Sequence, residues 1–104
     1  MSGTAPLVPA KLQRFLAFDF GTKRTGVATG NRLTRVATPD KTINAEGDAR
    51  WVQIGQRIKD WQPDAIVVGV PYHPDGAAHD NTHKAQKFAR QLNGRYNLQV
   101  FEVD

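Results

Sequence analysis

The chain contains no cysteine, which excludes disulfide staples, zinc–thiolate centres and thiol nucleophiles. No apolar run approaches the length needed to cross a bilayer. The first ten residues lack both the basic start and the sustained apolar segment of a secretory signal, and Pro6 and Pro9 interrupt them. A cytoplasmic location with no membrane partner is therefore the expectation. Repeats and low-complexity tracts are absent as well, which sets aside solenoid and repeat architectures. Acidic residues are scarce where basic ones gather. Between positions 14 and 41 stand Arg14, Lys23, Arg24, Arg32, Arg35 and Lys41, opposed only by Asp19 and Asp40. With a net charge of +4, that asymmetry permits a polyanionic partner, although charge alone does not select one.

What remains is enough for one compact unit. At 104 residues the chain has room for a single core, preceded by a loose tail over residues 1–13 and organised as one domain over 14–104. Apolar patterning predicts strands over 15–20, 26–30 and 35–43, the last weakened by Pro39 and so expected at a sheet edge. Trp51, Ile54, Ile58 and Trp61 recur at helical spacing, predicting an amphipathic helix over 46–61 that Gln62, Pro63 and Asp64 end. The apolar run 65–70 reads as a central strand covered on both faces. A loop over 71–79 follows. A second helix then starts at a cap from Asp80, Asn81 or Thr82 and stops at Asn93 and Gly94, and a final strand covers 98–103. Right-handed crossovers turn this order into an α/β domain with a mixed five-stranded sheet, order 3-2-1-4-5, in which strand 2 is antiparallel.

Within that frame Asp19 stands out. It interrupts the run Phe15-Leu16-Ala17-Phe18-Asp19-Phe20, and a carboxylate in a packed strand is costly unless it is paired, hydrogen-bonded or bound to a cation. Gly21, Thr22, Lys23 and Arg24 follow at once. The glycine permits a tight turn, while the hydroxyl and two cations suit a phosphate. Since ligands of open α/β sheets collect at the carboxyl ends of parallel strands, Asp19, the 69–71 segment and Asp104 are expected around one cleft. His73, His79 and His83 fit no metal-ligand spacing, and Lys84, Lys87 and Arg90 read as a solvated helix face. Trp51, Trp61 and Phe88 read as core.

Several segments together resemble the YqgF/RuvX family of RNase H-like proteins. They are Phe18-Asp19-Phe20-Gly21-Thr22-Lys23-Arg24 with Gly26-Val27-Ala28, Ala37-Thr38-Pro39, Val67-Val68-Gly69-Val70-Pro71 with Asp75-Gly76, and Lys87-Phe88-Ala89. The resemblance implies an RNase H-like sheet with helices packed on it. It also implies a nuclease that hydrolyses phosphodiester bonds, either at the 5′ end of pre-16S ribosomal RNA in ribosome biogenesis or at a Holliday junction. Such chemistry uses divalent ions about 4 Å apart, one activating water and one stabilising the leaving oxygen. Mg²⁺ or Mn²⁺ is the expected cofactor, with Asp19 and Asp104 as catalytic metal ligands and Gly21, Thr22, Lys23 and Arg24 as phosphate contacts. Relatives continue into a DER-like motif and a helical segment with a further Asp. The resemblance therefore implies that the remaining catalytic acids lie beyond Asp104 and that this span, lacking the C-terminal helical part, is truncated and need not be active alone. The partner would be pre-rRNA or branched DNA, with ribosomal particles as a further possibility. Two other readings stay open: a nucleic-acid-binding or ribosome-assembly factor without catalysis, and a nucleotide-binding relative of the sugar-kinase and actin-like branch.

Overall fold

The computed structural model describes residues 11–72 and 80–103. Three antiparallel strands, β1 (Arg14–Phe20), β2 (Thr25–Asn31) and β3 (Val36–Ile43), lead into helix α1 (Gly47–Trp61). Strand β4 (Ala65–Gly69), helix α2 (Asp80–Tyr96) and strand β5 (Gln99–Val103) follow. The sheet order is β3-β2-β1-β4-β5, with β4 parallel to β1 and β5 parallel to β4, as the sequence predicts. Pro39 sits on the edge strand β3, opposite Ala28, where its missing amide hydrogen interrupts no inner ladder.

The alternation along β1 decides which face is packed. Leu16 and Phe18 are buried against the helices, while Ala17 and Asp19 point to the opposite face. Ile54 of α1 and Ala85, Phe88, Ala89 and Leu92 of α2 join Leu16, Phe18, Ile66 and Val68 in one core cluster. Phe88 is its centre. Its ring meets Phe18 edge-on at 5.9 Å, Phe20 at 4.9 Å and Trp51 at 5.5 Å. The expectation that the fourth strand is covered on both faces is half met: Ile66, Val68 and Val70 are fully buried, but Val67 and Gly69 are partly open on the face that carries Asp19.

Two helix ends differ in how they stop. Helix α1 ends as predicted, on Gln62 in the left-handed region with its amide donating to the Ile58 carbonyl. Helix α2 runs through Asn93 and Gly94 to Tyr96, so the predicted stop there is overturned. A lone helical glycine costs only about 1 kcal/mol against alanine, and Leu92 and Tyr96 packing on either side of it offset that loss. Near its start the Thr82 hydroxyl donates to the Pro71 carbonyl and ties α2 to the segment that follows β4.

The base of the sheet is held by polar contacts that consume part of the basic set. Arg14 donates from Nε to the Trp61 carbonyl at 3.0 Å and lies over the Trp61 ring at 3.9 Å, so it serves the β1–α1 junction rather than a polyanion. Asp64 accepts the amides of Gln13 and Arg14, both at 2.9 Å. Those amide bonds, the Arg14 bond first, hold its carboxyl below the usual carboxylate range against a small opposing effect of burial. A depressed folded value contributes stability that is present above the unfolded value near pH 4 and is lost as the pH falls through the lower folded value. The thermal midpoint gap between the native chain and Asp64→Asn should therefore be widest near neutrality and narrow steadily in acid. A second prediction concerns Thr25, fully buried with no partner for Oγ1 among the described residues. Since an unpaired buried hydroxyl costs about 1–3 kcal/mol, Thr25→Val should raise the urea midpoint.

Candidate active site

Asp19 occupies the carboxyl end of β1, in register with Gly26 on β2 and Gly69 on β4. Residues in register across a sheet share a face, so the carboxylate is flanked on both sides by glycines. A Cβ built at Gly26 would lie 3.4 Å from the Asp19 Cβ, and one at Gly69 would lie 3.6 Å from Oδ1. Side chains at these two places would wall the carboxylate in. Their absence leaves Asp19 exposed at the meeting of two grooves.

The polar groove, of about 550 Å³, is lined by Asp19, Phe20, Gly21, Arg24, Gly26, Thr42 and Asn44. The second, of about 330 Å³, runs along the open face of the sheet over Ala17, Ala28, Val67, Gly69 and Val103 and is almost wholly apolar. Asp19 is the one carboxylate that lines either groove among the described residues. No group of three or more His, Asp or Glu residues there is placed to hold a metal ion. The donor set present is thus a single hard oxygen ligand with a hydroxyl and an amide nearby. That fits Mg²⁺ or Mn²⁺, which keep several waters and take one or two carboxylates plus substrate phosphates.

The turn after Asp19 is tight because of Gly21. A Cβ there would stand 2.5 Å from the Arg24 carbonyl oxygen, closer than non-bonded atoms approach, so this position excludes other residues without movement of the backbone. Arg50 of α1 holds the same turn from behind. Its guanidinium donates to the carbonyls of Thr22 and Ala45 and lies over the Phe20 ring at 4.7 Å. Burial pushes that guanidinium below its ordinary value, and the charge of Glu46 opposes the shift.

Of the residues singled out from the sequence, Asp19, Gly21 and Arg24 come together in the polar groove. Thr22 adjoins it but commits its carbonyl to Arg50, and Lys23 is exposed beside it without lining it. Asp104 lies outside the described residues, as do His73 and His79, while His83 is exposed on α2. The last described residue, Val103, is in register with Gly69 and lines the apolar groove with Asp19. Arg32 and Arg35 sit at the β2–β3 turn, the end of the sheet away from Asp19, since Asn31 pairs with Arg14 while Gly26 pairs with Asp19. Sequence reasoning missed Thr42, Asn44 and Arg50. Thr42 and Asn44 reach the groove at the end of β3, where Ile43 pairs with Thr25, and no local motif announces a neighbourhood set by strand pairing.

Residues 13–104 match the family described as "RuvX: Holliday junction resolvase". The chain belongs to the RuvX family. It is 67% identical over 99 residues to a protein of Polaromonas and 68% identical over 97 residues to one of Albidiferax ferrireducens, each named "Putative pre-16S rRNA nuclease". These alignments take in 95% and 93% of this chain but 72% and 62% of the relatives' lengths. Among solved structures, T. thermophilus RuvC in complex with a Holliday junction substrate superposes with a TM-score of 0.54 at 13% identity, over 88% of this chain and 64% of that one. Archaeoglobus fulgidus Pelota superposes at 0.59 and 8% identity, over 89% and 26%. At such identities the likeness concerns the fold, which is RNase H-like with the mixed sheet described above. No helix among the described residues is long and apolar enough to cross a membrane.

Proposed function

We propose that this RuvX-family chain carries the Asp19 side of a metal-dependent nuclease site and that its substrate is the precursor of 16S ribosomal RNA. The observation that carries the reading is the exposed Asp19 between Gly26 and Gly69, a carboxylate kept bare at the end of an inner strand. Both RuvX relatives described above bear the name of a pre-16S rRNA nuclease, and that name supports the substrate class.

A divalent ion, when bound, supplies Lewis acidity at the scissile phosphate and a water of lowered pKa. The chain's own residues supply position. Asp19 would hold the ion through hard oxygen donors, and Arg24 on the same groove would meet a phosphate oxygen with a charge-assisted hydrogen bond. Gly21 and Arg50 keep the turn in the shape that brings Arg24 to Asp19. Lys23, exposed beside the groove, would contact a neighbouring phosphate. Asp104, which follows Val103 in the sequence, would supply a further carboxylate to the same ion.

The experiment is incubation of the full-length protein, including the residues that follow Asp104 in its relatives, with Mn²⁺ or Mg²⁺ and a pre-16S transcript carrying its 5′ leader. Shortened 5′ ends, absent in EDTA, are the expected result. Retention of the leader with saturable RNA binding would overturn catalysis in favour of a binding or ribosome-assembly role, which the single carboxylate of the groove also accommodates.

A further inference from the structure

A second cleft opens on the helical face of the sheet, with a volume of about 250 Å³ between the start of α1 and α2. Its wall is aromatic, made by Phe20, Trp51 and Phe88, and its rim is cationic, made by Lys84, Lys87 and Arg50. No carboxylate lines it among the described residues. Lys84 and Lys87 stand three residues apart on α2, so they project side by side, and both are exposed with no ion pair among the described residues. The helix face that reads as merely solvated in the sequence thus overhangs a cleft, whereas Arg90 of the same helix does not line it.

Two features connect this cleft to the Asp19 groove. Phe20 lines both, so the two adjoin around the end of β1. Arg50 lines the cleft while bonding the Thr22 carbonyl, so the turn that bears Arg24 forms the ridge between them. Cations beyond the ridge without opposing carboxylates fit the phosphates of a strand that continues past Asp19, while the rings of Phe20 and Trp51 are half-buried beneath Arg50 and Arg95 and serve as the wall. Arg50 shapes the wall and is committed to its carbonyls; the two lysines are free to make the contacts.

We propose that Lys84 and Lys87 form a second phosphate-binding subsite, which receives the single-stranded nucleic acid continuing from the Asp19 groove over Phe20. The proposal rests on the nuclease reading above for its direction of travel, and its test is independent of cleavage. A fluorescein-labelled oligouridylate is titrated with the full chain in EDTA across a range of KCl concentrations. Each phosphate contact to a single strand contributes about 0.7 to the slope of log K against log salt, so Lys84→Gln/Lys87→Gln should flatten the slope by about 1.4. Arg90→Gln, off the cleft on the same helix, should leave it unchanged. A slope that responds to Lys23→Gln/Arg24→Gln but not to the double lysine variant would overturn the subsite and leave the nuclease reading standing. A slope that falls with the lysines while Asp19→Asn still cuts pre-16S RNA would keep the subsite and remove that reading. No measurable binding by the native chain would overturn the subsite as well. The lysines are exposed and glutamine keeps helix propensity, so the variants should match the native chain in circular dichroism.

Discussion

Asp19→Asn should abolish the shortening of a pre-16S transcript while leaving the fold and the salt-dependent RNA affinity nearly intact. The change removes one negative charge and keeps the shape, and Asp19 is exposed, so nothing in the core depends on it. Losing a direct ligand should cost more than the roughly 10–100-fold that removal of an outer-shell partner costs. A metal-dependent rate reduced by more than about 100-fold, measured at saturating RNA, is therefore the expected reading. The same variant should lose Mn²⁺-induced broadening of the amide signals of Gly26 and Gly69, which flank the carboxylate in the native sheet. Undiminished cutting would mean that the ion is held elsewhere. Persistent broadening alone would locate the ion on other oxygens of the same groove, such as those of Thr42 and Asn44.

The other large effect belongs to Phe88. Its side chain is 2% exposed and packs on Phe18, Phe20 and Trp51 at once, so it joins α2 to β1 and to α1. Truncation to alanine removes these contacts and leaves a cavity that a sheet-backed core refills poorly, for a cost of about 3–5 kcal/mol. Against the roughly 5–15 kcal/mol typical of a domain, that loss is more than half of the total at the weaker end. Urea unfolding of Phe88→Ala should show a midpoint far below the native one with an unchanged slope. Phe88→Leu, which keeps most of the volume, should fall between them. Because Phe88 and Phe20 also wall the cationic cleft, the alanine variant should weaken oligouridylate binding even where it is still folded. A midpoint within experimental error of the native value would show that the aromatic cluster contributes little.

Much of this architecture was legible from local pattern. The alternation in 15–20, the helical spacing of Trp51, Ile54, Ile58 and Trp61, and the apolar run 65–70 each report which side of an element meets the core, and one core is all a chain of this length can build. Handedness then restricts the crossovers, which is why the strand order followed. The stop of α2 was misread because Asn93 and Gly94 carry a local signal that packing of Leu92 and Tyr96 overrides. The roles of the arginines were hidden for a different reason. Arg14, Arg50 and Arg57 look alike in sequence, yet one stacks on Trp61, one holds Thr22 and one pairs with Asp40 at 3.2 Å.

By itself the sequence determined the fold class, the place of Asp19 at the end of an inner strand and the tight glycine turn after it, because strand period and glycine's conformational range are local properties. Only the tertiary structure decided that Gly26 and Gly69 bare the carboxylate, that Thr42 and Asn44 join its groove, and that Lys84 and Lys87 overhang a second cleft through Phe20. Those relations depend on register between strands and on how helices seat against the sheet. They join residues distant along the chain, and no short stretch of sequence carries them.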